Sequence, residues 1–165
     1  MAALSGGTRY RMTLESVARD IEAFLAAEGW FDSGREHQPI VVIDEYPDDK
    51  DEVATNTLAF SMGDSFTRTL ELGSQAESLS IPMFADFFAE NDGIGRHVVG
   101  DIYEYVQKIK AFDVLDYDQA TPTVEFNVAV FEEASEMRKP ERAVNPWQRH
   151  WYVCAFVVED ERFNQ

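Results

Sequence analysis

Three histidines (His37, His97, His150), one cysteine (Cys154) and six acids gathered between Asp44 and Glu52 are the residues best suited to chemistry in this chain. No histidine stands at a metal-ligand spacing such as H-E-x-x-H, so no zinc hydrolase is predicted. His97 precedes Asp101 by four residues, the spacing at which helical side chains meet, and a surface ion pair accounts for it. Cys154 falls inside an apolar run, where a thiol is a core residue and no neighbouring cation in the sequence lowers its pKa. A single cysteine makes neither an internal disulfide nor a cysteine-based zinc site, which fits a reducing compartment. Gly93-Ile94-Gly95-Arg96 could turn backbone N–H groups toward an anion, but no G-x-G-x-x-G or Walker lysine accompanies it, and a helix cap is the simpler reading. The acids of 44–52 (DEYPDDKDE) carry the charge of a calcium loop without its Asp-x-Asp-x-Asp-Gly order. With no G-x-S-x-G, C-x-x-C or distinctive carboxylate pair, the sequence predicts no enzyme, no metal site and no cofactor.

The elements that hold these residues follow from periodicity. Residues 1–12 (MAALSGGTRYRM) have none and read as a flexible arm, leaving 13–165 as a single α+β domain. Thr13 is a suitable N-cap for a first helix, with Leu14, Val17, Ala18, Ile21, Phe24 and Leu25 on one face and Gly29 as its stop. Strands are predicted at 40–46 and 57–62, and a return strand at 66–72 would close a hairpin through Gly63-Asp64. Residues 78–88 could add a further strand, which Pro82 would confine to an edge or a bulge. A second helix over 93–109 is marked by Ile94, Val98, Ile102, Tyr105, Val106 and Ile109, and Lys108 stands where the helix dipole favours a cation. Strands at 111–118 and 123–132 follow, the latter with Val124, Phe126, Val128 and Val130 on one face. A polar connection, 132–146, leads to a last strand from Trp147, apolar on both faces and so central in its sheet or covered by another chain. The order α-β-β-β-α-β-β-β, without βαβ alternation, predicts an α+β fold: a largely antiparallel sheet with two main helices packed on one side.

Composition narrows the function. The 165 residues carry 14 Lys and Arg against 31 Asp and Glu, a formal charge of −17, with 45% hydrophobic and 13% aromatic positions. Aromatic content at that level speaks against a disordered acidic tail, and the even spread of acid leaves no basic half to grip phosphates. The longest apolar run, Trp151 to Val158, falls well short of the roughly 20 residues that span a bilayer, and no secretion leader is recognisable. The one locally basic stretch holds Arg138, Lys139, Arg142 and Arg149 against Glu141. In identical copies it could pair with Asp48, Asp49, Asp51 and Glu52 of a neighbour, a head-to-tail contact that closes into a ring where the rotation permits. Two unrelated solvent loops would account for the same residues. Trp147, Trp151 and Tyr152 are of the types that populate interface cores, and equally of the types buried for structure.

The whole pattern resembles the tail terminator (tail completion) proteins of long-tailed bacteriophages. An N-terminal helix at 13–28, a second helix at 93–109 and closing strands at 123–131 and 147–159 carry the resemblance, which covers most of the chain from Thr13 onward. It implies a structural virion protein: a homo-oligomeric ring, usually a hexamer, that caps the tail tube, ends its polymerisation and joins the tail to the neck beneath the head. The implied partners are further copies of the chain, the tail tube protein and a neck or head-tail connector protein, with DNA passing through the lumen and no membrane. The implied location is the head-proximal end of the virion tail, after assembly in the host cytoplasm. The family transfers no catalytic residues, and subunit or partner contacts at Asp48, Asp49, Asp51, Glu52, Arg138, Lys139, Arg142 and Trp147 are expected from charge and residue type. Two other readings stay open: a neck or head-completion connector, and a small acidic adaptor or ligand-binding domain.

Overall fold

The computed structural model describes residues 6–32, 39–43, 55–63, 66–69, 76–109, 111–138 and 151–163. The elements run α1 (Gly6–Ala27), β1 (Val41–Ile43), β2 (Thr57–Met62), β3 (Phe66–Thr69), β4 (Ala76–Phe88), α2 (Asp92–Lys108), β5 (Ala111–Leu115), β6 (Val124–Arg138) and β7 (Trp151–Phe163). The expected helix, strands, helix, strands order holds, and the fold is α+β.

Among the described residues seven strands make one sheet in the order β1-β2-β4-β7-β6-β5, with β3 also on β4. β1 pairs with β2 in parallel and every other pairing is antiparallel. Alternate residues of the central strands, Ile81, Met83, Ala85 and Phe87 of β4 and Tyr152, Cys154, Phe156 and Val158 of β7, join the core that both helices cover. α2 lies on β4, β7 and β6, while α1 reaches both β2 and β5, strands from opposite ends of the sheet.

The helix faces are those the spacing predicts. Val17, Ile21 and Leu25 of α1 and Val98, Ile102 and Val106 of α2 are buried, and Leu14, Ala18, Phe24, Ile94, Tyr105 and Ile109 pack against them. Gly29 stops α1 at φ 83°, where Trp30 N–H donates to Leu25 C=O and Gly29 N–H to Ala26 C=O. That pairing satisfies the carbonyls of the last turn and turns Trp30 back onto the core. Asn91 caps α2 by accepting from Ile94 N–H at 3.0 Å, with Asp92 in its first turn and Lys108 in its last.

Four expectations are corrected. α1 begins at Gly6, so residues 6–12, read as a flexible arm, are helical, and Thr13 is no N-cap but an interior residue bonding back to Arg9 C=O at 2.7 Å. Met12 is buried, Tyr10 packs on the core and Arg9 pairs with Asp160, and these tertiary contacts outweigh the poor helix propensity of Gly6-Gly7. β2 and β3 form no hairpin with each other. Both pair with β4 in tandem, β2 against 83–88 and β3 against 77–80.

β4 is accordingly central rather than an edge, flanked along its whole length by β7. Pro82 is tolerated there because its C=O accepts from Gly63 N–H at 2.8 Å, which places its missing donor on the same side. Gly63 stands opposite Pro82 just past the end of β2 at Met62 and before β3 begins at Phe66, so the reciprocal bond that proline cannot donate falls at a strand terminus and not inside a continuous ladder. Finally, 132–138 is not connection but a continuation of β6. Phe131 faces Val157 and Glu136 faces Ala155, so β6 advances five residues while β7 advances two, and the surplus forms a bulge. β7 lies between β4 and β6, the central place expected for a strand apolar on both faces.

Candidate functional site

Among the residues expected to meet a partner, Arg138 is the one the structure describes, as the last residue of β6 opposite Val153. Asp48, Asp49, Asp51, Glu52, Lys139, Arg142 and Trp147 lie outside the described residues, as do His37 and His150.

The remaining polar side chains form clusters between elements. At the start of α2, Asp92 accepts from the Tyr152 hydroxyl and from Arg96 Nε at 2.8 Å. Gly95 lies against the same tyrosine, and a Cβ there would stand 2.2 Å from the ring, so glycine is what allows the helix to seat on β7. Gly93-Ile94-Gly95 is thus a packing and capping device. Ile94 N–H is taken by the Asn91 side chain and Gly95 N–H by Asn91 C=O, and Asp92 puts a carboxylate where an anion would have to approach.

Further along α2, His97 meets Asp101 at 3.6 Å, as the spacing predicts, and the same carboxylate accepts from Trp30 Nε1 at 3.0 Å. The Trp30 ring stands edge-on to His97 at 4.8 Å between centroids. His97 is two-thirds exposed while Cys154 is buried in β7, so the chain's one thiol is far from an activated nucleophile. Burial pushes that thiol up to about 12. Tyr105 stacks on Phe24 at 4.3 Å and donates to Asp20 at 2.8 Å. Burial first, then the hydrogen bond to Asp20 and that carboxylate's charge, raise its hydroxyl pKa.

Three structural fastenings had no signal strong enough to single them out. Asn56 adopts φ 58° at the start of β2 and is fully buried. Its side chain accepts from Glu90 N–H at 2.9 Å and donates to the Glu90 carboxylate at 3.3 Å, while its C=O takes Val41 N–H at 2.9 Å. One residue thereby ties β1, β2 and the end of β4, and asparagine is among the few non-glycine residues at ease in that backbone region. Arg9 makes a two-pronged pair with Asp160 of β7, a carboxylate whose side chain is 1% exposed. Ser16 accepts from Leu115 N–H at 3.0 Å and donates to its C=O at 3.3 Å, joining α1 to the end of β5.

An open groove of about 440 Å³ lies between the helices and β5, lined by Asp20, Tyr105, Phe112, Asp113, Leu115 and Tyr117 among others. Among the described residues no group of three or more His, Cys, Asp or Glu side chains could hold a metal ion, and no helix is long and apolar enough to cross a membrane. No family model matches the chain, and no curated protein matches it.

Proposed function

We propose that this chain is a structural subunit of a long-tailed phage particle, a tail terminator whose copies form a ring on the end of the tail tube. The observation that carries the reading is the order of elements on one sheet. A leading helix, a group of strands, a second helix and closing strands build a mixed, mostly antiparallel sheet with both helices on one face. That order of elements is the one on which the family resemblance rests.

Other features agree with it. A formal charge of −17 suits a surface along which a polyanion must slide without adhering. The outer edge of β5 is occupied at Leu115 by Ser16 of α1, so ring contacts through side chains and loops are favoured over simple strand addition there. The head-to-tail contact is assigned to Arg138, Lys139 and Arg142 against Asp48, Asp49, Asp51 and Glu52 of the neighbouring copy, with Trp147 as a further contact residue.

Deletion of the gene from its source genome, followed by electron microscopy of the lysate, tests the reading. Overlong or irregular tails without heads are expected. Normal tails beside DNA-filled heads would replace it with a neck or head-completion connector, and unchanged particles would leave an acidic adaptor domain as the better account. Reversing Arg138, Lys139 and Arg142 to Glu should abolish ring formation while leaving the monomer folded by circular dichroism. Intact rings from that triple variant would sink the assigned contact alone.

A further inference from the structure

The turn after β5 is fastened to the rest of the molecule in an uneven way. Its root is firm, since buried Ser16 holds both the N–H and the C=O of Leu115. The turn itself is a self-contained unit: Asp116 accepts from Asp118 N–H at 3.1 Å through its side chain and from Gln119 N–H at 3.3 Å through its C=O. What presses it onto α1 is two arginines on one helical stripe, each four residues from Glu15. Arg11 lies 3.1 Å from Asp118 and 3.9 Å from Asp116, and the Arg19 guanidinium sits 4.2 Å over the Tyr117 ring.

Both arginines also hold Glu15 of their own helix, Arg11 at 3.6 Å and Arg19 at 3.2 Å. If the turn lifts away, neither guanidinium is left alone. The side chains are open to solvent, Arg11 46%, Arg19 53% and Asp118 72% exposed, so the attraction is weak and screened by salt. Tyr117 is one wall of the groove between α1, α2 and β5.

We infer that residues 116–119 form a salt-sensitive flap, hinged at Leu115 and held by Arg11 and Arg19, that covers or opens this groove. Low ionic strength closes it, and screening releases it without unfolding the sheet. The inference does not depend on the assembly reading.

Hydroxyl-radical footprinting of the full chain at about 0.02 M and about 0.5 M NaCl tests it, because the Debye length falls several-fold between them. Oxidation of Tyr117 should rise roughly two- to fivefold at high salt, the range expected for loss of weak exposed contacts. The double variant Arg11→Gln, Arg19→Gln should show the high-salt rate already at low salt, and Arg96→Gln, which removes an exposed pair on α2, should not. Phe156 of β7, 1% exposed, must stay protected throughout. Equal Tyr117 rates in both salts and in the double variant, or a parallel rise at Phe156, would overturn the flap.

Discussion

At the scale of single residues, two contacts decide how elements seat. Gly95 is the point at which α2 meets Tyr152, and an added methyl must displace an aromatic ring that is itself bonded to Asp92. Gly95→Ala should therefore destabilise the chain by about 1–3 kcal/mol, the usual penalty of overpacking, measured as a lower denaturant midpoint at unchanged slope. Gly93→Ala, which meets only the Asn91 side-chain oxygen at 3.4 Å, should be neutral or slightly stabilising. A similar loss at both positions would refute the steric account. Asn56 combines a left-handed backbone with a buried bond to Glu90 N–H, so its two contributions separate by substitution. Asn56→Gly keeps the backbone and loses the bond, whereas Asn56→Ala loses both and should cost about 1 kcal/mol more in equilibrium unfolding. If glycine were the worse replacement, the backbone conformation would not be what asparagine is there to supply.

At the scale of elements, local pattern and tertiary pairing contribute unequally. Both helices present the faces that a 3.6-residue period predicts, because an apolar stripe needs no knowledge of its partner to be recognised. Strand partners are different. β2 and β3 read as a hairpin because a glycine lies between two short runs, yet the 13 residues of β4 offer enough edge to pair both in series. Pro82 reads as an edge residue until the break between those two strands is known. The N-terminal turns of α1 were likewise illegible, since Arg9 is 151 residues from the aspartate that anchors it. Of the candidate contact residues, charge alone identified the groups, and placing them requires the paths of 44–54 and 139–150, which lie outside the described residues.

At the scale of the whole molecule, alkaline pH should weaken the fold. Cys154 is held protonated by burial, its pKa raised from 9.0 to about 12, and burial with Asp20 raises Tyr105 in the same direction. An acid whose folded pKa lies above its unfolded value contributes stability that is whole below the unfolded value and is lost as pH rises toward the folded one. Stability should therefore be level up to about pH 9 and then fall, with Cys154 contributing a slope that approaches about 1.4 kcal/mol per pH unit. Urea unfolding between pH 8 and about 11 checks this. Cys154→Ala should lower stability at neutral pH and flatten the alkaline slope, and an unchanged slope in that variant would exclude the thiol as its source.

By itself the sequence determined the class of the fold, the faces of both helices, the stop of α1 at Gly29, the His97–Asp101 pair and the core position of Cys154. Each depends on residues within about one helical turn or one strand, where side-chain direction is set by backbone period alone. Only the tertiary structure decided the order of strands, the central place of β4, the bulge that carries β6 on to Arg138, and the fastening of α1 through Arg9 and Ser16. Those features pair residues tens to more than a hundred positions apart, and among many strands of similar composition it is packing against a shared core that selects one pairing.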